Sequence, residues 1–416
     1  MPNIFRQRIV RSQQLLASTE TATALILSSA TVKVRSHDSH YPYRADNYLY
    51  YLTGSQEQDL LLVLLPGKST PVLMAPPHDA ARAVWDDTAP KPRQLASALG
   101  ARLITTSQPI KELLPLLRNI DRVLHQAAPQ SLARQLVDQL REKSLAGARG
   151  LPRLFGDAGL LLDRLRLFKS KDEVALIERA AQITQDSLQR TLPLMRPGAS
   201  EATIAKTLEY FFRLQGAEPA FNSIVAAGPS AATLHYTSLR RSIQRGSLLL
   251  IDCGAEYQLY AADMTRTIPI GAPRNPLLRK VYEGVLHAQQ ELLRAVRPGV
   301  ALATLQQIAI RSLTATLRDL KVLRGSLASL IKQQAYKPYY PHSFGHSLGL
   351  DVHDVGSSKR GAQTVLEKGM VFTIEPGLYF RRPNGKIPVG GGAHRGRRPR
   401  YLSRLSATYV GIPQRL

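Results

Sequence analysis

Two tripeptides, Arg196-Pro197-Gly198 and Arg297-Pro298-Gly299, each follow one amphipathic helical stretch and precede another, and this repetition constrains the fold more than any other feature of the chain. The first is followed by EATIAKTLEYFFRLQG; the second joins HAQQELLRAV to ALATLQQIAIRSLTATL. After each unit comes a His-containing loop and then an apolar strand that begins at Gly and ends on an acid: Gly246-Ser-Leu-Leu-Leu-Ile-Asp252 in one half, Gly369-Met-Val-Phe-Thr-Ile-Glu375 in the other. A duplicated half-domain puts these two carboxylates at equivalent places and brings them together near a pseudo-twofold axis. That is a route to a shared two-carboxylate site.

Upstream of the repeat, short apolar runs (TALILSS, LLLVLLP, PVLMAPP) alternate with amphipathic stretches, the pattern of a mixed-sheet α/β domain. Ser170-Lys-Asp-Glu173 has capping-box spacing and opens a helix that places Val174, Ile177, Ala181 and Leu188 on one face. The expected class is therefore α+β: a smaller α/β domain over 1–165, the duplicated domain over 166–390 and a tail over 391–416. The single cysteine, Cys253, allows no internal disulfide and reads as a small buried hydrophobe. No apolar run approaches about 18 residues and the N-terminus lacks the apolar core of a signal peptide, so no membrane partner is expected and a reducing, cytoplasmic setting is. The net charge of +24 raises nucleic acid as a partner. Yet nine basic residues fall between Arg381 and Leu416, and the others are scattered without aromatic interleaving. The excess reads as a solvated surface, and no nucleic-acid partner is expected.

Asp252 ends its apolar run at Cys253-Gly254, and the chain returns through Tyr260 to Asp263-Met-Thr-Arg-Thr, an antiparallel partner strand. Carboxylates on two arms of one hairpin converge well on a metal, although an Asp at a strand end is also a common turn former. The segment from Pro341 to Asp354 adds three imidazoles, His342, His346 and His353. His342 and His346 have the spacing of a helical zinc site, but Pro341, Gly345 and Gly349 argue for a loop. Carboxylates with imidazole suit Mn, Mg, Zn, Fe or Co, and bridging carboxylates suit a pair of ions about 3.5–4 Å apart.

The stretches IDCGAEYQLYAADMTRTIP, PHSFGHSLGLDVHDVG and GMVFTIEPGLYF resemble the metal-binding motifs of the dinuclear metallopeptidases with the pita-bread (creatinase/aminopeptidase-like) fold. RSHDSHYPYRADNYLYYLTG and LRLFKSKDEVALIERAAQIT are similar to text of bacterial Xaa-Pro aminopeptidases (aminopeptidase P), and the resemblance runs from about residue 5 to about 390. It implies that Asp252, Asp263, His346 and Glu375 are metal ligands, with Asp263 bridging and Glu375 also moving a proton. His235, His342 and His353 match the family's non-ligand histidines, which hold substrate and stabilise the oxyanion. The implied cofactors are two divalent ions, Mn2+ first and Zn2+ or Co2+ as alternatives, with a hydroxide bridging them. The implied reaction is release of the N-terminal residue from peptides with proline in second position, by a homo-oligomer (dimer or tetramer). Rival readings are proline dipeptidase, methionine aminopeptidase, whose relatives lack so long an N-terminal domain, and a non-catalytic peptide-binding homologue.

The chain departs from the family at one place. The resemblance calls for a fifth ligand, a second bridging Glu in an R-I-E-D-D-like strand, but no Asp or Glu follows Glu375, and the second half of the repeat has no counterpart of Asp263. Instead the chain reads Ala393-His394-Arg-Gly-Arg-Arg-Pro-Arg-Tyr401. We read the break near Val389 as a frameshift: the codons from His394 onward, read one nucleotide later with permitted third bases, give I-E-D-D-V-L-V-T. The blander reading is a divergent basic tail for an anionic partner. With an incomplete ligand set, weak metal loading, impaired hydrolysis and open sheet edges are expected. Sequencing the coding DNA checks this reading; third bases that forbid the shifted peptide end it.

Overall fold

A computed structural model describes residues 2–85, 91–126, 128, 130–271, 276–356, 364–380, 405–406 and 409–411. The chain divides into two compact units, Met1–Arg166 and Leu167–Leu416.

The first unit is built on six strands: β1 (Thr23–Ser28), β2 (Leu61–Leu64), β3 (Val72–Ala75), β4 (Arg102–Thr105), β5 (Arg122–His125) and β6 (Leu154–Asp157). They lie in the order β4-β3-β2-β1-β5-β6. Strands β1, β2 and β3 pair antiparallel, while β4, β5 and β6 join parallel, so the sheet is mixed as the apolar runs imply. Central strands β1 and β2 are buried at every position. Burial on both faces explains why they read as continuous apolar runs rather than alternating ones.

The second unit opens with helix α1 (Lys171–Thr191), started by Ser170: its hydroxyl accepts from the Glu173 amide while the Glu173 carboxylate accepts from the Ser170 amide. Its buried face runs through Glu173, Ile177, Ala180, Thr184, Ser187 and Leu188, a more polar stripe than apolar periodicity alone predicts. The polar members have partners, since Glu173 accepts from the Tyr260 hydroxyl and Thr184 from the Ala255 amide. Helix α2 (Glu201–Leu214) follows, then β7 (Ile224–Ala227), β8 (Leu248–Cys253) and β9 (Met264–Pro269), ordered β7-β8-β9 and antiparallel. The second half contributes α3 (Pro276–Ala295), α4 (Leu302–Asp319) and β10 (Phe372–Ile374).

The repeat read from the sequence is visible bond for bond. The Gly198 amide donates to Ile243 as Gly299 donates to Leu366; Glu201 donates to Arg241 as Leu302 does to Thr364; Ile243 donates to Ala199 as Leu366 does to Val300. Gly198 and Gly299 share a φ of +89°, which an L side chain resists. Each half also has its own core. Leu208, Phe212, Leu249, Ile251 and Cys253 pack in the first, and Val285, Leu305, Leu313, Phe372 and Ile374 in the second.

The open sheet edge expected after Glu375 is corrected by the structure at the described residues. Strand β10 pairs antiparallel with β11 (Tyr409–Gly411), and Gly377–Leu378 pairs with Leu405–Ser406. Unpaired edge groups recruit an extended segment within reach, and Tyr and Val suit that role. The remainder of the tail, including the segment 394–401 on which the frameshift reading rests, lies outside the described residues.

Because the two turns share one conformation, Gly198→Ala and Gly299→Ala are each expected to destabilise the chain by about 1–2 kcal/mol. Urea unfolding of the two variants checks this; unchanged midpoints would rule out the shared left-handed turn.

Candidate metal centre

Strand alternation decides where the carboxylates go. On β8, Leu249, Ile251 and Cys253 enter the core of their own half, so Asp252 faces the other way with Leu248 and Leu250. On β10, Phe372 and Ile374 enter the second core, which turns Thr373 and then Glu375 to the opposite side. Both acids therefore leave their own cores and meet at the seam between halves.

Asp263 is delivered by the hairpin: Cys253 pairs with Met264 and Asp252 with Thr265. His346 is delivered by an extended segment laid antiparallel on β10, where Ser347 bridges to Phe372, the Thr373 amide donates to His346 O at 2.7 Å and the Glu375 amide to Phe344 O at 2.7 Å. This is the loop that Pro341, Gly345 and Gly349 imply. The segment approaches so closely that a Cβ on Gly345 would overlap the Thr373 carbonyl.

The result is a direct cluster. His346 Nε2 lies 3.2 Å from Asp263 Oδ2 and 3.2 Å from Glu375 Oε1, with all three side chains mostly buried. His346 Nδ1 sits 3.0 Å from Ser347 O, so its N–H donates there and Nε2 is the nitrogen turned to the carboxylates. Burial opposes charge on His346, but the bond to Asp263 and the charge of Glu375 outweigh it and raise the imidazole to about 9. Burial also pushes the Glu375 carboxyl up to about 7, against the pull of His346 and with the help of Asp263 and Asp252. Asp252 accepts from Thr265 Oγ1 at 2.8 Å.

The remaining histidines lie around this cluster. The His353 ring stands 4.3 Å from that of His346, and burial, then the neighbouring His346, lowers its pKa, with His235 adding to the effect. His235 and His353 are exposed. His342 Nδ1 donates to Ser343 O, so Nε2 accepts from the buried Tyr379 hydroxyl at 2.6 Å.

Sequence reasoning missed several supports. Thr265 and Thr373 donate to Asp252 and Glu375, and each stands two residues from a ligand candidate, a spacing that alternation could have flagged. Glu201, fully buried at the start of α2, accepts from the Ala227 amide, the Arg241 amide and the Tyr236 hydroxyl, and so ties down the segment that carries His235. Pairing also locates the counterpart of Asp263. The Ala262 amide donates to Ala255 in the first half as Leu405 pairs with Leu378 in the second, which puts Ser406 at the place of Asp263.

Among the described residues no three His, Cys, Asp or Glu side chains are so arranged as to hold an ion together. The donor set nonetheless fits divalent cations: carboxylates crowd one seam, the imidazole turns a fixed nitrogen toward them, and its other nitrogen is held by a backbone carbonyl.

Residues 175–397 match the model of metallopeptidase family M24, and residues 6–124 match the aminopeptidase P N-terminal domain. The Xaa-Pro aminopeptidase of Escherichia coli K12 is 34% identical over 93% of this chain and 90% of its own length. The low-pH form of E. coli aminopeptidase P superposes with a TM-score of 0.87 at 32% identity, covering 99% of this chain and 92% of that one. A zinc-substituted form of the same enzyme in complex with product gives the same score, identity and coverage.

In the metal-free chain, His346 holds its proton more tightly when folded than when unfolded, so its contribution to stability is complete below about pH 6.5 and is lost as pH rises through about 9. Glu375, also raised, works in the same direction between its ordinary value and about 7. Thermal melts of metal-free protein are expected to show lower stability at pH 9.5 than at pH 6; a rising trend would exclude the ion-paired cluster.

Proposed function

The chain belongs to metallopeptidase family M24, with the pita-bread fold and the N-terminal domain of aminopeptidase P, and from this premise we propose that it releases the N-terminal residue from peptides with proline in second position. The observation that carries the reading is the convergence of Asp263, His346 and Glu375 at one buried point, with Asp252 on the adjoining strand. In this reading Asp252, Asp263, His346 and Glu375 would hold two divalent ions. Mn2+ is favoured by the carboxylate-rich set, with Zn2+ or Co2+ as alternatives. When bound, the ions supply hydroxide near neutral pH and polarise the scissile carbonyl.

The chain's own residues do the rest. Proline's tertiary amide offers no N–H, so the substrate must be held by other groups. His235 and His353, both exposed beside the cluster, bind the peptide and steady charge on the carbonyl oxygen. His342, oriented by Tyr379, presents a fixed imidazole to the same end. Glu375 carries the proton that the departing proline nitrogen needs. We further propose a cytoplasmic homo-oligomer acting on peptides.

The sequence qualifies the proposal, since the residues after Glu375 hold no Asp or Glu and the second half supplies no further acid. We therefore propose incomplete loading and impaired turnover. The same lack of an acid favours, as second reading, a homologue that binds Xaa-Pro peptides without cleaving them.

Hydrolysis of an Xaa-Pro-Xaa tripeptide with added Mn2+, by the 416-residue chain and by a version with the frame restored near Val389, tests both readings. The restored chain is expected to cleave at least about 100-fold faster. Equal rates would end the argument from the missing acid, cleavage of Xaa-Pro dipeptides alone would indicate a proline dipeptidase, and no cleavage by either would remove the substrate assignment.

A further inference from the structure

A buried ion pair outside the metal cluster has no place in the chemistry above. Lys169 Nζ lies 2.9 Å from Asp354 Oδ2, and both side chains are 1% exposed. Taking two charges out of water is unfavourable, and apolar side chains of similar volume commonly stabilise a core as well or better. The contacts around this pair point to a geometric role.

Lys169 touches both segments that build the second half of the site. Its amide donates to Gly369 O at 2.8 Å, where the run ending on Glu375 begins. Its ammonium reaches Asp354, the residue after His353. Asp354 in turn donates its amide to Ser347 O, next to His346, at 3.0 Å. Gly349 lies against the Asp354 carboxylate so closely that a Cβ there would collide with it, and Gly349 O accepts from the Ala261 amide, two residues before Asp263. One residue thus links, by its amide, the start of the Glu375 strand and, by its side chain, the histidine loop and through that loop the hairpin of Asp263.

We propose that Lys169, through its buried pair with Asp354, is a positioning residue that holds the histidine loop 346–354 in place against the strand ending on Glu375. The inference rests on the metallopeptidase reading for its consequence, since the loop carries His346 and His353, but not for its geometry. Lys169 touches neither ion nor substrate. Its effect passes through the placement of the two imidazoles.

The test uses the full chain without metal. In the double variant Lys169→Met/Asp354→Leu, secondary structure by circular dichroism is expected to persist, because the apolar pair fills the same space. The ring-to-ring NMR contact between His346 and His353 is expected to vanish, and Mn2+ affinity by calorimetry to fall at least about tenfold. Lys206→Met/Glu209→Leu, which removes a pair with an exposed lysine on α2, is the control and leaves both readouts unchanged. A folded double variant that keeps the ring contact and binds Mn2+ within about twofold of the parent overturns the proposal and leaves the pair a purely structural one. If the double variant does not fold, Asp354→Asn is judged by the same readouts. If the parent binds no Mn2+, the metal reading fails on its own and the ring contact alone decides the role of Lys169.

Discussion

Three carboxylates, Asp252, Asp263 and Glu375, are drawn into one largely buried seam, where their mutual repulsion is poorly screened. A chain tolerates such crowding only when positive charge lies among the acids. His346 lies between Asp263 and Glu375, and these neighbours raise its pKa and so favour its charged form. Thr265 and Thr373 donate to the flanking oxygens. The same crowding of carboxylates favours positive charge at the seam, which is what the proposed metal reading draws on.

The two cores exist to hold that seam. Each half buries its own apolar residues through alternate strand positions and turns its acid toward its neighbour. Neither half has all the donors: the first brings two carboxylates on a hairpin, the second one carboxylate and one imidazole. The pseudo-symmetry is nearly complete in the backbone and broken in the sequence, since the register position that Asp263 holds in the first half is held by Ser406 in the second.

Much of this could be read before any coordinates. The paired Arg-Pro-Gly turns and the Gly-to-acid strands are local patterns that repeat, and each survives as matching hydrogen bonds. The mixed N-terminal sheet and the Ser170 cap were legible for the same reason. What stayed hidden depends on partners far apart in the chain: Tyr379 beneath His342, Glu201 gathering the segment of His235, and Lys169 against Asp354. None of these has a local signature. The edge of β10 was misjudged because backbone pairing needs little from side chains, so a segment without the family's motif still closes it.

The close crossing at Gly345 has a mechanical consequence. His346 and Glu375 ride on one antiparallel pair locked by backbone bonds, and Asp252 and Asp263 ride on one hairpin. Distances within each couple are therefore stiff, and the couples are tied to each other by the Ala261 amide donating to Gly349 O and by Leu248 of β8 entering the second core. The site resembles a vice with two solid jaws and a bolt between them, so a displacement of either jaw is felt by all four side chains at once.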